Sequence, residues 1–156
     1  MIGIIGAIPE EVNAIIASMQ VLKTKILGKR KYSIGTLENQ DCVVVFSRIG
    51  KVAAAITTTT LIHEFHVDKI FFTGVAGGIG KKVKVGDIVL ATQLTQHDFD
   101  AFPLYPKNEI PLLNKKFFKP DSVLNDIAQV EINSFLNSEA LLDYVPTDIL
   151  NDFAIV

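Results

Sequence analysis

Short apolar runs alternate along the chain with segments whose apolar residues recur at helical spacing. A strand is predicted over Ile2–Ala7, because this isoleucine-rich run is followed at once by Pro9 and two acids. From about Pro9 to Met19 the pattern predicts a helix with one apolar stripe, formed by Val12, Ile15, Ile16 and Met19. A buried strand followed by an amphipathic helix is typical of an α/β protein.

The same patterns continue through the rest of the chain. Further strands are predicted over Lys31–Leu37, Cys42–Phe46, Lys69–Phe72, Val83–Thr92 and Asp152–Val156. Two more helices are predicted, one over Val52–Phe65 with Ala55, Thr59, Ile62 and Phe65 facing inward, and one over Ser122–Asn137 capped by Asp121 or Ser122. We therefore expect residues 1–156 to form a single α/β domain with a mixed sheet.

The last predicted strand, Asp152–Val156, is apolar on both faces, as in a sheet covered by helices on each side. No residues follow that could cover it. We expect either that a partner chain covers this strand or that the polypeptide is incomplete at its C-terminus.

Composition and charge narrow the class of protein. The 156 residues are 49% hydrophobic and 21% charged, with 15 basic and 17 acidic side chains interspersed. This composition is typical of a globular domain and offers no basic stripe, so a nucleic-acid partner is not expected. Cys42 is the only cysteine, which excludes an internal disulfide and favours a cytoplasmic location. The apolar N-terminus is short and lacks a basic flank, so neither a signal peptide nor a membrane span is expected.

Two features carry candidate chemistry. The glycine-rich stretch Thr73–Gly80 follows a strand, where α/β proteins bind small ligands against the main chain, although a tight structural turn would have the same pattern. It leads into Lys81–Gly86 and a strand instead of a helix, which disfavours a dinucleotide site. Glu10 and Glu11 begin the first helix, where at most one of them faces the strand ends as a general base. Acids at this position also compensate the helix dipole.

Other chemistries find little support in the sequence. His97, Asp98 and Asp100 lie close together, but they lack the spacing of a zinc site, and we favour hydrogen bonding within the loop over metal ligation. No G-x-S-x-G elbow and no G-x-x-x-x-G-K-[ST] loop occurs. A serine hydrolase and a P-loop nucleotidase are therefore disfavoured, and no metal is expected.

Four motifs in order resemble the 5′-methylthioadenosine/S-adenosylhomocysteine nucleosidase family: Gly3–Val12, Ser47–Ala54, Thr73–Gly78 and Lys84–Val89. The resemblance implies a nucleoside phosphorylase-like fold, a three-layer α/β/α sandwich around a mixed sheet. It also implies a homodimer that needs no cofactor. Members hydrolyse the N-glycosidic bond of methylthioadenosine and S-adenosylhomocysteine and release adenine.

The resemblance also assigns roles to residues. It makes Glu11 the carboxylate that activates the attacking water, and it makes the following residues substrate-binding: Ile8, Ile49, Val75, Ala76, Gly77, Ala101, Leu104 and Pro111. Ile8 and Ile49 would lie near the ribose and alkylthio group, and Val75–Gly77 under the nucleoside. The last three belong to a loop that closes over the 5′ end, part of which reaches across the dimer. Val75 stands where some members carry serine.

The Glu11 carboxylate affects which nucleophile the site would accept. In the family, related enzymes of the same fold are phosphorylases, in which an arginine near the N-terminus holds phosphate. A carboxylate about 4 Å from a phosphate charge costs on the order of 4 kcal/mol at an effective dielectric near 20. Water is therefore the favoured nucleophile.

The resemblance covers the N-terminal two-thirds of the family. The family's Met-Glu pair, which holds the ribose hydroxyls, and its Ser-Asp pair, which protonates adenine, are both missing from this sequence. We therefore expect the 156-residue chain alone to have little or no hydrolase activity. A related purine or futalosine-type N-ribosyl hydrolase, or a degenerate nucleoside-binding domain without turnover, remains an alternative.

Overall fold

The computed structural model describes residues 1–140 and divides the chain into two compact units, Met1–Gly77 and Gly78–Val156. The first unit contains β1 (Ile2–Gly6), α1 (Glu10–Ser18), β2 (Gln20–Leu27), β3 (Arg30–Leu37), β4 (Gln40–Phe46), α2 (Lys51–Phe65) and β5 (Lys69–Phe72). The described part of the second unit contains α3 (Ser122–Leu136). The strand predicted over Asp152–Val156 lies outside the described residues, and the single domain stays a prediction.

The first unit is built on one mixed sheet of five strands in the order β2-β3-β4-β1-β5. β1 pairs in parallel with β4 on one side and with β5 on the other. β2, β3 and β4 form an antiparallel meander. The carboxyl ends of β1, β4 and β5 therefore lie at the same edge of the sheet.

Side chains alternate between the two faces of the sheet, and each face packs against one helix. On one face Ile5, Val43 and Val45 form a buried cluster with Leu61 and Phe65 of α2. On the other face Cys42 and Val44 pack against Val12 of α1 and Met19. Strand residues apolar on both faces require a cover on both sides, so the expected three-layer α/β/α arrangement is confirmed.

The apolar stripe predicted for α1 is confirmed. Val12 and Met19 are buried, and Ile15 and Ile16 are half-buried against the same cluster. The interior position of this stripe fixes α1 against β1 and β4.

Two tight turns set the register of the meander. Gly28 and Lys29 connect β2 to β3, and Glu38 and Asn39 connect β3 to β4, each pair with two positive φ angles. Two successive residues with positive φ match the twist of the flanking strands. The sequence patterns missed β2, which is an edge strand with mostly exposed side chains.

The inward face predicted for α2 is largely wrong. Thr57, Leu61 and Phe65 are the buried residues of this helix, so only Phe65 is placed correctly. Ala55, Thr59 and Ile62 lie on the exposed side. The runs of alanine and threonine occupy both the buried and the exposed side of this helix, so the sequence pattern does not mark a face. The hydroxyl of buried Thr57 donates to the Ala53 carbonyl, which satisfies it within the helix.

The second unit corrects one strand prediction. Val83–Thr92, predicted as a strand, belongs to no strand in the described residues, because it has no continuous hydrogen-bonded neighbour there. Further along this unit, Leu94 and Phe118 exchange two backbone hydrogen bonds of 2.8 Å. The cap predicted for α3 is confirmed at Asp121, whose carboxylate accepts from the Leu124 amide at 2.9 Å.

Among residues 1–140, no helix combines the length and the apolar character that crossing a membrane requires.

Replacing Leu61 with alanine tests the packing of α2 on the sheet. The Leu61 side chain is 0% exposed, and Leu61→Ala is expected to lower the free energy of unfolding by about 2–5 kcal/mol through the cavity that it leaves. Ile62→Ala on the same helix removes a side chain that is 46% exposed and is expected to cost about 1 kcal/mol or less. Denaturant unfolding followed by circular dichroism measures both, and equal losses would contradict this packing.

Candidate functional site

Three segments of the chain leave the sheet at the carboxyl ends of β1, β4 and β5. The amide of Ser47 donates to the Gly6 carbonyl at 2.7 Å, and the amide of Thr73 donates to the Ile5 carbonyl at 2.9 Å. These bonds continue the parallel pairing past the last residues of β4 and β5. The loops that follow the three strands therefore start side by side, at the edge where α/β proteins bind ligands.

The carboxylate of Glu11 lies between two of these loops. Its Oε2 atom accepts hydrogen bonds from the amides of Ala7 and Ile8, which follow β1. Its Oε1 atom accepts from the amide of Val75, which follows β5, at 3.0 Å. Glu11 thus joins the ends of two neighbouring parallel strands through backbone groups.

The start of α1 places Glu11 in this position. Pro9 precedes the helix and offers no side-chain cap, so the amides before the first turn need another acceptor. Glu11 reaches back to two of them, much as the glutamate of a capping box does. Glu10, its neighbour, is exposed. The two acids differ because adjacent helical residues point about 100° apart.

Backbone donors also set the charge state of Glu11. The Val75 amide, opposed by partial burial and supported by the amides of Ala7 and Ile8, holds the pKa of the Glu11 carboxyl below its ordinary value. The side chain is therefore ionised at neutral pH. A carboxylate offers about four acceptor positions, and the three amides leave one of them on Oε1.

Two glycines allow this approach and were not identified as functional from the sequence. A Cβ atom on Gly74 would lie 2.5 Å from the Glu11 Oε1 atom, and one on Gly6 would lie 2.9 Å from the Glu11 Cβ atom. Both distances are too short for real contacts. In the sequence, Gly6 ends β1 and Gly74 is the second residue after β5, and neither position by itself indicates contact with the Glu11 side chain.

Ile49 lies in the loop between β4 and α2, at the same edge of the sheet. The buried Arg30 side chain donates from Nε to the Ser47 carbonyl at 2.9 Å, which fixes the start of this loop. The Arg48 guanidinium donates to the Lys29 carbonyl at 2.9 Å. Ile49 is exposed and Gly50 has a φ of 105° before the helix begins.

The structure brings only part of the predicted set together. Glu11 contacts the backbone of Ile8 and Val75, and Ala76 and Gly77 follow Val75 as exposed residues. The residues predicted to close over the substrate belong to the second unit: Ala101, Leu104 and Pro111. The Ala101 carbonyl accepts from the Leu104 amide at 3.0 Å in a local turn, with Leu104 exposed and Pro111 half-buried. Their binding role stays a prediction.

Within residues 1–140, no three histidine, cysteine, aspartate or glutamate side chains converge on a common point. The Asp100 carboxylate accepts from the Phe102 amide at 3.0 Å, and the His97 carbonyl accepts from the Asn108 side chain at 2.6 Å. These groups organise the loop by hydrogen bonding.

Known proteins are similar to this chain in sequence and in architecture. An aminodeoxyfutalosine nucleosidase of Helicobacter pylori is 43% identical over 131 residues, which cover 82% of this chain and 56% of that protein. A 5′-methylthioadenosine/S-adenosylhomocysteine nucleosidase of Halalkalibacterium halodurans is 38% identical over 128 residues, covering 81% and 55%. The solved structure of a 5′-methylthioadenosine/S-adenosylhomocysteine nucleosidase from Neisseria meningitidis, in complex with methylthio-immucillin-A, superposes on this chain with a TM-score of 0.83 at 33% identity. The match covers 88% of this chain and 59% of that chain.

This chain therefore spans a little over half the length of the relatives that it matches. The nucleoside phosphorylase-like fold expected from the resemblance is confirmed by the structural match. The family model described as "Phosphorylase superfamily" matches residues 1–141, and the chain belongs to that superfamily.

Proposed function

We propose that this protein takes part in hydrolysing the N-glycosidic bond of 5′-methylthioadenosine and S-adenosylhomocysteine, with release of adenine. The observation that carries the proposal is the Glu11 carboxylate, held at the carboxyl ends of β1 and β5 with one acceptor position left on Oε1. Relatives with 36–43% identity include nucleosidases of this type.

In the proposed reaction, Glu11 positions a water molecule and accepts its proton as the water attacks the anomeric carbon. Breaking the bond to adenine leaves positive charge on the ribose ring, so the attacking water needs only a weak base. A carboxyl whose pKa is lowered by three backbone donors meets that need, since it stays ionised at neutral pH. The fixed negative charge also lies where it favours a cationic sugar.

The same charge favours hydrolysis over phosphorolysis. A phosphate ion about 4 Å from an ionised carboxylate is disfavoured by on the order of 4 kcal/mol at an effective dielectric near 20. This corresponds to roughly a thousandfold in affinity. Water carries no such penalty.

The substituent at the 5′ position of the substrate separates methylthioadenosine from futalosine-type nucleosides. Relatives of both kinds match this chain, at 43% identity for an aminodeoxyfutalosine nucleosidase and 38% for a methylthioadenosine nucleosidase. Ile8 and Ile49, apolar and at the edge where the loops begin, suit an alkylthio group. We place Val75, Ala76 and Gly77 under the nucleoside, and Ala101, Leu104 and Pro111 near its 5′ end.

We also propose a cytoplasmic homodimer that needs no cofactor. Val52 and Ile56 lie one turn apart on α2, 75% and 49% exposed, and present an apolar surface that a second copy would cover. A free, buried Cys42 suits a reducing compartment.

The role of Glu11 is tested in a chain completed with the C-terminal segment that follows the aligned region in the Helicobacter pylori relative. Glu11→Gln keeps the size of the side chain and removes the base, so kcat for adenine release from methylthioadenosine is expected to fall by about 10²–10⁴. Glu10→Gln, one residue away and exposed, is the matched control and is expected to stay within twofold of the completed wild type. Chromatographic measurement of adenine gives the rates.

Two results would contradict the proposal. Equal rates for Glu11→Gln and Glu10→Gln would exclude Glu11 as the base. A completed wild-type chain that releases adenine from neither methylthioadenosine, S-adenosylhomocysteine nor aminodeoxyfutalosine would exclude the activity. The same assay on the 156-residue chain alone is expected to give a rate at least about 100-fold below that of the completed chain, because the groups that protonate adenine and hold the ribose are missing from its sequence.

The dimer is tested by introducing charge on the exposed face of α2. Val52→Glu combined with Ile56→Glu is expected to convert the protein to a monomer, because burying two carboxylates in an apolar interface is unfavourable. Leu22→Glu places the same charge on an exposed apolar position of β2 and is expected to leave the dimer intact. Sedimentation velocity at micromolar concentration distinguishes the species, and a wild-type monomer would contradict the proposal.

A further inference from the structure

Gly74 occupies the closest approach between the loop after β5 and the Glu11 side chain. A Cβ atom at this position would lie 2.5 Å from both Cδ and Oε1 of Glu11, and 2.7 Å from Oε2. All three atoms belong to the carboxylate itself. The space that a side chain at residue 74 would take is the space in which the carboxylate lies.

The backbone conformation does not explain this glycine. Positive φ angles among the glycines occur at Gly28, Gly50 and Gly86, and Gly74 is outside that group. A left-handed backbone conformation therefore does not account for glycine at residue 74. The three nearest atoms all belong to the end of a flexible side chain, which can rotate away from residue 74.

We propose that Gly74 is a positioning residue: the absence of its side chain holds the Glu11 carboxylate against the Val75 amide and leaves one Oε1 acceptor position open for water. An alanine at residue 74 displaces the carboxylate toward solvent and breaks the bond from the Val75 amide. The amides of Ala7 and Ile8 donate to the other oxygen, Oε2, and do not replace the bond from the Val75 amide to Oε1. The close approach of residue 74 to the Glu11 carboxylate is independent of the reaction, and its effect on catalysis rests on the proposed function.

The test measures the Glu11 carboxyl directly, without reference to activity. Titration of the side-chain ¹³C carboxyl signal by NMR gives the pKa of Glu11 in the 156-residue chain and its variants. In Gly74→Ala the pKa is expected to rise from its lowered value toward the ordinary 4.5, because the Val75 amide is the largest cause of the lowering. Gly80→Ala, in the same glycine-rich stretch, meets Val83 at an ordinary 3.4 Å and is expected to leave the titration unchanged.

Charged neighbours do not differ between these variants. Glu10 on the same helix, and Arg48 and Lys51 after β4, are kept in all of them, so a change in the titration reports the displaced carboxylate. A Glu11 pKa in Gly74→Ala equal to that of the wild type overturns the proposal, whether or not the protein proves to be a nucleosidase.

A double-mutant cycle keeps the proposal testable if Gly74→Ala folds but is too unstable at low pH for the titration. With Glu11→Ala as the background, the overlapping carboxylate is gone, so Gly74→Ala is expected to shift the thermal midpoint by less than half of its effect in the wild type. A shift of the same size in both backgrounds means that residue 74 acts through other contacts and overturns the proposal. In the completed chain, Gly74→Ala is expected to lower kcat at least tenfold with KM within threefold, and no further loss is expected when Glu11→Gln is already present.

Discussion

The carboxylate of Glu11 accepts three backbone hydrogen bonds that join the ends of two parallel strands. The amides of Ala7 and Ile8 belong to the chain leaving β1, and the amide of Val75 belongs to the chain leaving β5. These donors would otherwise lack a partner, because a strand end and a helix start both leave amides unpaired. The loop after β5 is therefore joined to the start of α1 through this one side chain.

Strand pairing in the sheet brings the ends of β1, β4 and β5 together independently of the Glu11 side chain. β1 pairs in parallel on both sides, so three strand ends come to one edge, and buried clusters on both faces prevent the strands from sliding. Glycine at residue 74 then allows a side chain to approach the main chain more closely than a Cβ atom would permit. Packing positions the carboxylate, and the carboxylate in turn joins the segments that carry the proposed binding residues.

The same bonds that fix Glu11 also weaken it as a base. Three amide donors stabilise the ionised form, which lowers the pKa and reduces the affinity for a proton. A reaction that passes through a cationic sugar tolerates this weakness, since the sugar itself attracts the nucleophile. A reaction that needs a strong base would not be served by such a carboxylate, and this limits the chemistry that the site supports.

The sequence predicted those parts of the structure in which one physical signal dominates. Continuous apolar runs identified β1 and β4, and helical spacing identified the inward face of α1, where apolar residues segregate clearly. The buried face of α2 was misplaced because alanine and threonine fit either side of a helix. β2 was missed because an exposed edge strand lacks an apolar pattern.

For the candidate site, sequence reasoning identified the pair Glu10 and Glu11, and the resemblance selected Glu11. The contact with Val75 joins residues 64 positions apart, which no local pattern reveals. Gly74 carries no side chain that could mark it as functional, and its importance follows only from the distance to Glu11. Long-range contacts of this kind require the folded arrangement of β1 beside β5.

The most direct test of this account follows the amide of Val75 by ¹H–¹⁵N NMR as the pH is lowered. If the Glu11 carboxylate bridges the two strand ends, the amide protons of Ala7, Ile8 and Val75 shift together, with one midpoint below 4.5 that equals the pKa of Glu11. The shifts move in the direction expected for loss of a charged acceptor. A Val75 amide that does not respond to pH while Ala7 and Ile8 do would show that the bridge to β5 is absent and would contradict the account.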